Sequence, residues 1–277
     1  MQEPLISVII PARNSSNTLR EAVLSIVNQT YKNLEILIID DFSTDNTLEV
    51  ATKLSQQDPR LKVYSSDLND DQRFDKKLNR NINAGYSARN TGFSHVNGEF
   101  ITFQDADDVS LLNRVEIQYT LLKKHDATHL SLDWQKYEES LIGTSIDLEL
   151  FTEALKNYKT PKDLYSMAIR SKGCVAKISK KLNSSVPFNI KRMRVINKLF
   201  FGTLESYPGA GNSPLFKKEV IEKVQFRPLS DRIWPSFMGR GADRDFNFQV
   251  AETFKNSYVF SIPTYLWRQE TQNKLYK

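Results

Sequence analysis

The residues best equipped for chemistry close the stretch FITFQDADD, Phe100 to Asp108, where an apolar run ends in Asp105, Asp107 and Asp108. Crowded carboxylates repel one another and cost desolvation, so such a cluster at the end of a buried strand points to a bound cation, and oxygen donors suit a hard divalent ion. In an open α/β sheet, ligands sit just beyond the carboxyl ends of the strands, where these side chains would project. Taken alone, the triplet reads equally as a solvated turn with a helix N-cap, since Asp is favoured at both.

The elements that must hold this triplet are written upstream of it. Leu5 to Ile10 is a short apolar run closed by Pro11, and Asn17 or Thr18 can cap a helix whose apolar positions Leu19, Val23, Ile26 and Val27 recur at helical spacing. Leu34 to Ile39 is rich in β-branched residues and ends at Asp40 and Asp41. Asp45 opens a second helix, Leu61 to Tyr64 reads as a third strand, and Ala84 to Ser94 as a third helix. Repeated β-α units of this size predict an α/β fold with a Rossmann-like, doubly wound and mostly parallel sheet flanked by helices.

A dinucleotide-binding fold would place G-x-G-x-x-G at the first strand-to-helix turn. That turn reads PARNSSNT and contains no glycine, and a P-loop is missing as well. A diphosphate here would therefore be neutralised by a carboxylate-held metal rather than by backbone amides, and FQDADD supplies the carboxylates. The same turn argues against a sugar nucleotidyltransferase, which needs a glycine-rich basic loop after its first strand.

Composition frames the class. A chain of 277 residues with 40% hydrophobic content can bury a sizeable core in one large domain or two joined lobes. The single cysteine, Cys174, excludes a disulfide framework and a cysteine-based zinc site. The histidines His95, His125 and His129 lack the HExxH arrangement. No apolar run approaches the ~18 residues of a membrane span, and acidic Glu3 stands where a signal peptide would be basic. The expected location is the cytoplasm.

Charge is unevenly placed. The net charge is +5, yet Phe151 to Phe200 holds 12 Lys/Arg against two acids, a net of +10, so the remainder is acidic. Such a segment could lie on an anionic membrane surface or hold a phosphorylated acceptor, and a plain solvated helical face is the simpler alternative. Nucleic acid is not expected as a partner, because no nucleic-acid fold motif accompanies the charge.

At this point the residues resemble a known family. SVIIPARNSSNTLREAVLSIVNQTYKNLEILIIDDFSTDNT, from Ser7 to Thr47, AGYSARNTGF at 84–93 and FITFQDADD at 100–108 together look like the nucleotide-binding part of inverting glycosyltransferase family 2. The resemblance covers about the first 115 residues; NSPLFKKEVIEKVQF at 212–226, GADRDF at 241–246 and YLWRQE at 265–270 match the acceptor half more loosely.

The resemblance implies a GT-A fold. It divides the chain into a donor-binding half, 1–115, and a helical acceptor-binding half, 116–277, that contains the basic segment 151–200. It implies transfer of a single sugar from a nucleotide diphosphate sugar, UDP-linked above all, to a hydroxyl of a glycan or lipid-linked acceptor, as in surface polysaccharide biosynthesis. Pro11, Arg13 and Asp41 would line the nucleobase pocket, with Asp41 accepting from the uracil imide N–H. Arg89 would reach the base or diphosphate, although by position alone it reads as a surface helix charge. Asp105 would approach the ribose and Asp107 would bind Mn²⁺ or Mg²⁺, leaving Asp108 as an outer carboxylate or a helix cap.

The family's catalytic base is the aspartate of a Glu-Asp pair opening a late helix, and Asp243 occupies that place, with a helix cap as the plainer alternative. Ala242 stands where the glutamate is usual, and Asp245 offers another carboxylate. Relatives often end in Tyr-Arg-x-His with a metal-binding histidine, whereas this chain reads Trp267, Arg268, Gln269, Glu270, which makes Glu270 a candidate metal ligand, with a changed metal geometry or a solvated tail as the alternatives. These two departures keep open a degenerate relative that binds glycans or acts as a scaffold. The Q-x-x-R-W motif of processive synthases is absent, which favours single-sugar transfer.

The polar stretch Asp67 to Asn83 reads as a closing loop, and Gly239 and Gly241 read equally as a flexible approach to the base or as a simple turn. Among Trp134, Tyr137, Tyr207 and Trp234, the last is the expected acceptor-stacking residue, since it shortly precedes GRGAD, with core packing as the alternative.

Overall fold

A computed structural model describes residues 3–69, 74–75, 80–81, 85–203, 205–235 and 241–268. The strands are β1 (Ile6–Ala12), β2 (Leu34–Asp40), β3 (Leu61–Ser65), the paired short β4 (Phe74–Asp75) and β5 (Arg80–Asn81), β6 (Phe100–Phe103), β7 (Val109–Ser110), β8 (His129–Lys136), β9 (Leu215–Lys217) and β10 (Ser257–Trp267). Eight of them form one sheet in the order β3-β2-β1-β6-β9-β8-β10-β7.

β1 pairs in parallel with both β2 and β6, and β2 with β3, so these strands end at one edge of the sheet. Register carries that through to side chains: Ala12 lies opposite Asp40, and Ile9 opposite Phe103. Pro11–Arg13, Asp41 and Asp105 therefore all fall at the carboxyl edge, where an α/β sheet holds its ligands. β9 pairs antiparallel with both β6 and β8, so strands from both halves of the chain belong to one sheet. The expected mostly parallel α/β architecture is what the chain adopts.

Between β1 and β2 runs α1 (Leu19–Val27), and between β2 and β3 runs α2 (Thr47–Ser55). Helices α3 (Tyr86–His95) and α4 (Arg114–Lys124) precede β6 and β8. Val8, Ile10, Ile36 and Ile38 are fully buried under α1 and α2, and each such side chain contributes about 1.5–3 kcal/mol. Gly92 lets α3 cross β1 closely, since a Cβ there would sit 2.6 Å from the Ile9 side chain.

Helix starts differ in detail from expectation. Thr18 precedes α1 but makes no side-chain cap hydrogen bond, because its backbone is already helical. Asp45 does hold the start of α2, accepting from the Thr47 amide at 3.0 Å and the Ser16 amide at 3.2 Å.

The basic segment is helical, as expected, in short pieces: α5 (Thr152–Lys156), α6 (Pro161–Arg170), α7 (Cys174–Ile178), α8 (Lys180–Ser185), α9 (Phe188–Lys191) and α10 (Asn197–Phe201). Only α6 has a full capping box, between Thr160 and Asp163. It packs against α11 (Ala242–Phe254), which contributes the buried Phe246 and Phe248 to the core. No helix among the described residues is long and apolar enough to cross a membrane.

Candidate active site

Three of the predicted site residues meet at one buried cation. Arg89 lies in the first turns of α3, only 4% exposed, with Nη2 2.6 Å from Asp105 and 3.6 Å from Asp243. Burial opposes its charge, but Asp243 and Asp105 outweigh burial and raise its pKa. The surface-charge alternative for Arg89 is thereby set aside. Its guanidinium also lies over the rings of Phe103 and Phe226, at 5.7 and 5.4 Å. Gly85, at φ +64°, lets the chain turn into α3; a Cβ there would stand 3.2 Å from Arg89 Nη1 and 3.6 Å from Pro11 Cβ. Pro11 and Arg89 thus flank the same turn.

Asp243 sits in the first turn of α11, whose cap is Gly241 in the left-handed conformation, φ +95°. Asp243 is therefore not the N-cap. Its neighbour Asp245 is 1% exposed and structural: it pairs with Arg227 at 2.6 Å and accepts the amides of Ile233 and Trp234 at 2.8 and 2.9 Å. Asn247 donates to the Asp243 carbonyl at 2.7 Å and to Gly211 at 2.7 Å, while its Oδ1 meets His129 Nε2 at 2.7 Å. These bonds hold the first turn of α11 in place.

The carboxylates of Asp105, Asp107 and Asp108 converge, one oxygen of each lying within 4.8 Å of the others. Asp107 is exposed and Asp108 is buried. Burial first, then the charges of Asp105 and Asp107, push the Asp108 carboxyl up to about 8. Three hard oxygen donors crowded in this way fit a divalent cation. Asp108 is not the cap of α4, which is Asn113; it accepts the Arg268 amide at 2.7 Å.

Sequence reasoning missed two residues that shape this cluster. The Tyr265 hydroxyl, fully buried on β10, accepts the Asp105 amide at 3.1 Å, and Asn212 Nδ2 donates to Asp105 at 2.8 Å. Nothing in their local sequence signals a role, because each reaches the cluster only through sheet pairing and a distant loop.

Beyond the ends of β1 and β2, Arg13 Nη1 donates to the Asp41 and Phe42 carbonyls, the latter at 3.0 Å, and Asp41 is 2% exposed. The Asp41 amide donates to Ala12 at 2.8 Å, which joins the ends of β1 and β2. Pro11, Arg13 and Asp41 are thus brought together as expected.

Trp234 is corrected. It is fully buried, with Nε1 donating to the Ala168 carbonyl at 2.9 Å, so it packs α6 rather than facing an acceptor. Tyr207 is half-buried, its hydroxyl against Ser131 Oγ at 3.1 Å. Trp134 instead is 41% exposed and stands edge-on to Trp267, 42% exposed, their centroids 4.9 Å apart, beside the Arg268 that binds Asp108. Glu270, Gly239 and most of Asp67–Asn83 lie outside the described residues.

With this geometry in hand, comparison with known proteins is decisive on family. The family model described as "Glycosyl transferase family 2" matches residues 7–201. The chain belongs to glycosyltransferase family 2. It is 35% identical over 136 residues to glycosyltransferase GlyG of Streptococcus pneumoniae, covering 49% of this chain and 41% of that one. It is 31% identical over 163 residues to the Escherichia coli UDP-Glc:alpha-D-GlcNAc-diphosphoundecaprenol beta-1,3-glucosyltransferase WfgD, covering 57% of each. The chain thus spans about half the length of these curated relatives.

Solved structures bear out the GT-A fold of this family 2 member. Staphylococcus aureus TarS 1–349 in complex with UDP-GlcNAc aligns at TM-score 0.56 and 16% identity, over 98% of this chain and 60% of that one. The Pyrobaculum calidifontis mannosyltransferase PcManGT, in complex with GDP-Man and Mn²⁺, aligns at 0.55 and 18%, over 98% and 59%.

Proposed function

We propose that this family 2 chain transfers one sugar from a nucleotide diphosphate sugar to an acceptor hydroxyl, with inversion at the anomeric carbon. The observation that carries the reading is the meeting of Asp105, from the donor-binding half 1–115, and Asp243, from the acceptor-binding half 116–277, on the single buried guanidinium of Arg89. Pro11, Arg13 and Asp41 then hold the nucleobase, Asp105 the ribose, and Arg89 the charge of the diphosphate.

Asp107, with Asp105 and Asp108, would hold Mn²⁺ or Mg²⁺, and the bound ion would supply electrostatic stabilisation of the diphosphate leaving group. Glu270 is a further candidate ligand on sequence alone. Asp243 takes the proton of the acceptor hydroxyl as its oxygen bonds to the anomeric carbon and the bond to the diphosphate oxygen breaks. One displacement inverts that carbon, and a positioned base contributes about 10²–10⁴-fold.

The donor is read as UDP-linked, because TarS 1–349 was solved with UDP and with UDP-GlcNAc and WfgD is named for UDP-Glc. PcManGT, solved with GDP-Man, makes GDP the competitor to test. The diphosphoundecaprenol acceptor that WfgD's name prints supports a glycan or lipid-linked acceptor, and surface polysaccharide assembly is the process we propose for it. The unpaired, exposed Cys174 suits the reducing cytoplasm.

Isothermal titration with UDP, ADP and GDP, with and without Mn²⁺, tests the reading. UDP binding that requires Mn²⁺ and is lost in Asp107→Ala is expected, followed by turnover of a UDP-sugar. Binding of no nucleotide, or binding indifferent to both metal and Asp107, would overturn it.

A further inference from the structure

The second half carries a basic surface that contributes no residue to the cluster of Arg89, Asp105 and Asp243. From Leu164 to Leu204 the chain has nine Lys/Arg and no Asp or Glu. Arg170 is paired with Glu205, Lys172 with Glu252, and Lys191 is buried against the Ser230 carbonyl. Lys177, Lys180, Lys181, Arg194 and Lys198 are exposed, and no ion pair neutralises them among the described residues.

Large apolar side chains are exposed in the same stretch. Ile178 is 83% exposed and Val195 88%, and Leu182, Met193 and Leu199 are about half exposed. This is not loose packing. The same short helices bury Ala176, Asn183, Lys191 and Phe201 on their inner side. Single exposed apolar residues need no explanation, but a run of them interleaved with unneutralised cations is what a shallow membrane-surface segment requires.

We propose that the outer surface of α7–α10 docks this protein onto an anionic lipid bilayer, with Ile178, Leu182, Val195 and their neighbours inserted at the headgroup level and the lysines on acidic headgroups. Charge selects this occupant. A second copy would bring the same cations face to face, which is repulsive, whereas an acidic bilayer complements them and attracts about 1 kcal/mol per Lys or Arg near its surface.

The surface is tied to the candidate base. Lys191 Nζ holds the Ser230 carbonyl at 2.8 Å and Asn183 the Arg232 carbonyl at 3.4 Å, while the amides of Ile233 and Trp234 bind Asp245, two residues from Asp243. Docking there would therefore bring the acceptor side to the membrane. That last step rests on the proposed function; lipid binding does not.

Flotation of the full chain with vesicles of phosphatidylcholine, alone or mixed with phosphatidylglycerol, tests the proposal. Partition onto the mixed vesicles at least ~10-fold above that onto the neutral ones is expected, falling about fivefold per lysine in Lys181→Gln and Lys198→Gln. The double variant Ile178→Asn, Val195→Asn should lose at least ~10-fold. Unchanged UDP binding in these variants shows that the fold survives. Absence of flotation, or equal flotation on both vesicles, would overturn the proposal. So would a dimer in light scattering that the apolar variant dissolves while lipid partition stays the same. Lipid binding without nucleotide binding would instead sink the proposed transfer and leave the docking surface standing.

Discussion

The guanidinium of Arg89 lies 3.6 Å from the carboxylate of Asp243, inside a site where it is 4% exposed. The same nitrogen holds Asp105 at 2.6 Å, so one buried charge compensates two carboxylates from distant parts of the chain. Removing Arg89 leaves two crowded, partly buried carboxylates without the cation they share. Arg89→Ala should therefore cost about 3–5 kcal/mol in urea unfolding. Arg89→Lys keeps the charge but not the planar fork, and should recover part of that loss.

Asp243→Asn keeps shape and removes the basic oxygen. Nucleotide affinity by titration should stay within about twofold, while transfer falls by about 10²–10⁴. A loss of donor affinity with transfer otherwise intact would place Asp243 on the diphosphate instead.

Tyr265→Phe removes the hydroxyl that accepts the Asp105 amide. The unsatisfied buried N–H should cost about 1–3 kcal/mol. Loosening of the carboxylate cluster should lower Mn²⁺ affinity about 10–100-fold, read by calorimetry.

The two exposed tryptophans and the buried one should separate cleanly. Trp234→Ala opens a cavity under α6 and should cost about 3–5 kcal/mol. Trp134→Ala should change stability little and act on the acceptor KM, since its ring is 41% exposed beside Trp267. An acceptor KM indifferent to Trp134 would exclude it as a stacking platform.

His129 sets a pH dependence of stability. Burial lowers its pKa from 6.5 to about 4, against the hydrogen bond to Asn247. The unfolded chain takes up this proton first, so stability is full above pH 6.5 and declines as pH falls toward 4. The loss should be roughly 2 kcal/mol near pH 5. In metal-free protein Asp108, raised from 3.8 to about 8, acts oppositely, with stability declining as pH rises through that window. The contribution of His129 is therefore read as the difference in pH slope between the native protein and His129→Gln in urea titrations.

Much of the sheet's carboxyl edge was legible in sequence. Apolar runs closed by Pro11, Asp40–Asp41 and FQDADD declare strands that end in polar groups, and β-α alternation makes those strands parallel, so their ends share one edge. Arg89 was legible as a site residue only through family resemblance. Its helix shows no cue of burial, because the two carboxylates that neutralise it arrive from β6 and α11.

Trp234 shows the opposite failure. A tryptophan shortly before a candidate base is compatible with a stacking surface and with a core, and local spacing cannot choose between them. Its indole found the Ala168 carbonyl and the space between α6 and α11, which exist only once those helices pack. Tyr265 and Asn212 were silent for the same reason.

The α/β class, the carboxyl-edge position of Pro11, Asp41 and Asp105, the carboxylate triplet and the basic stretch 151–200 are written along the chain, because periodicity, charge and strand polarity are properties of neighbouring residues. Packing alone makes Arg89 bind Asp105 and Asp243, engages Asp245 with Arg227, puts Trp234 in the core and turns Ile178 and Val195 outward. Those facts depend on which elements meet, and burial or exposure of a side chain is settled by the surfaces packed against it.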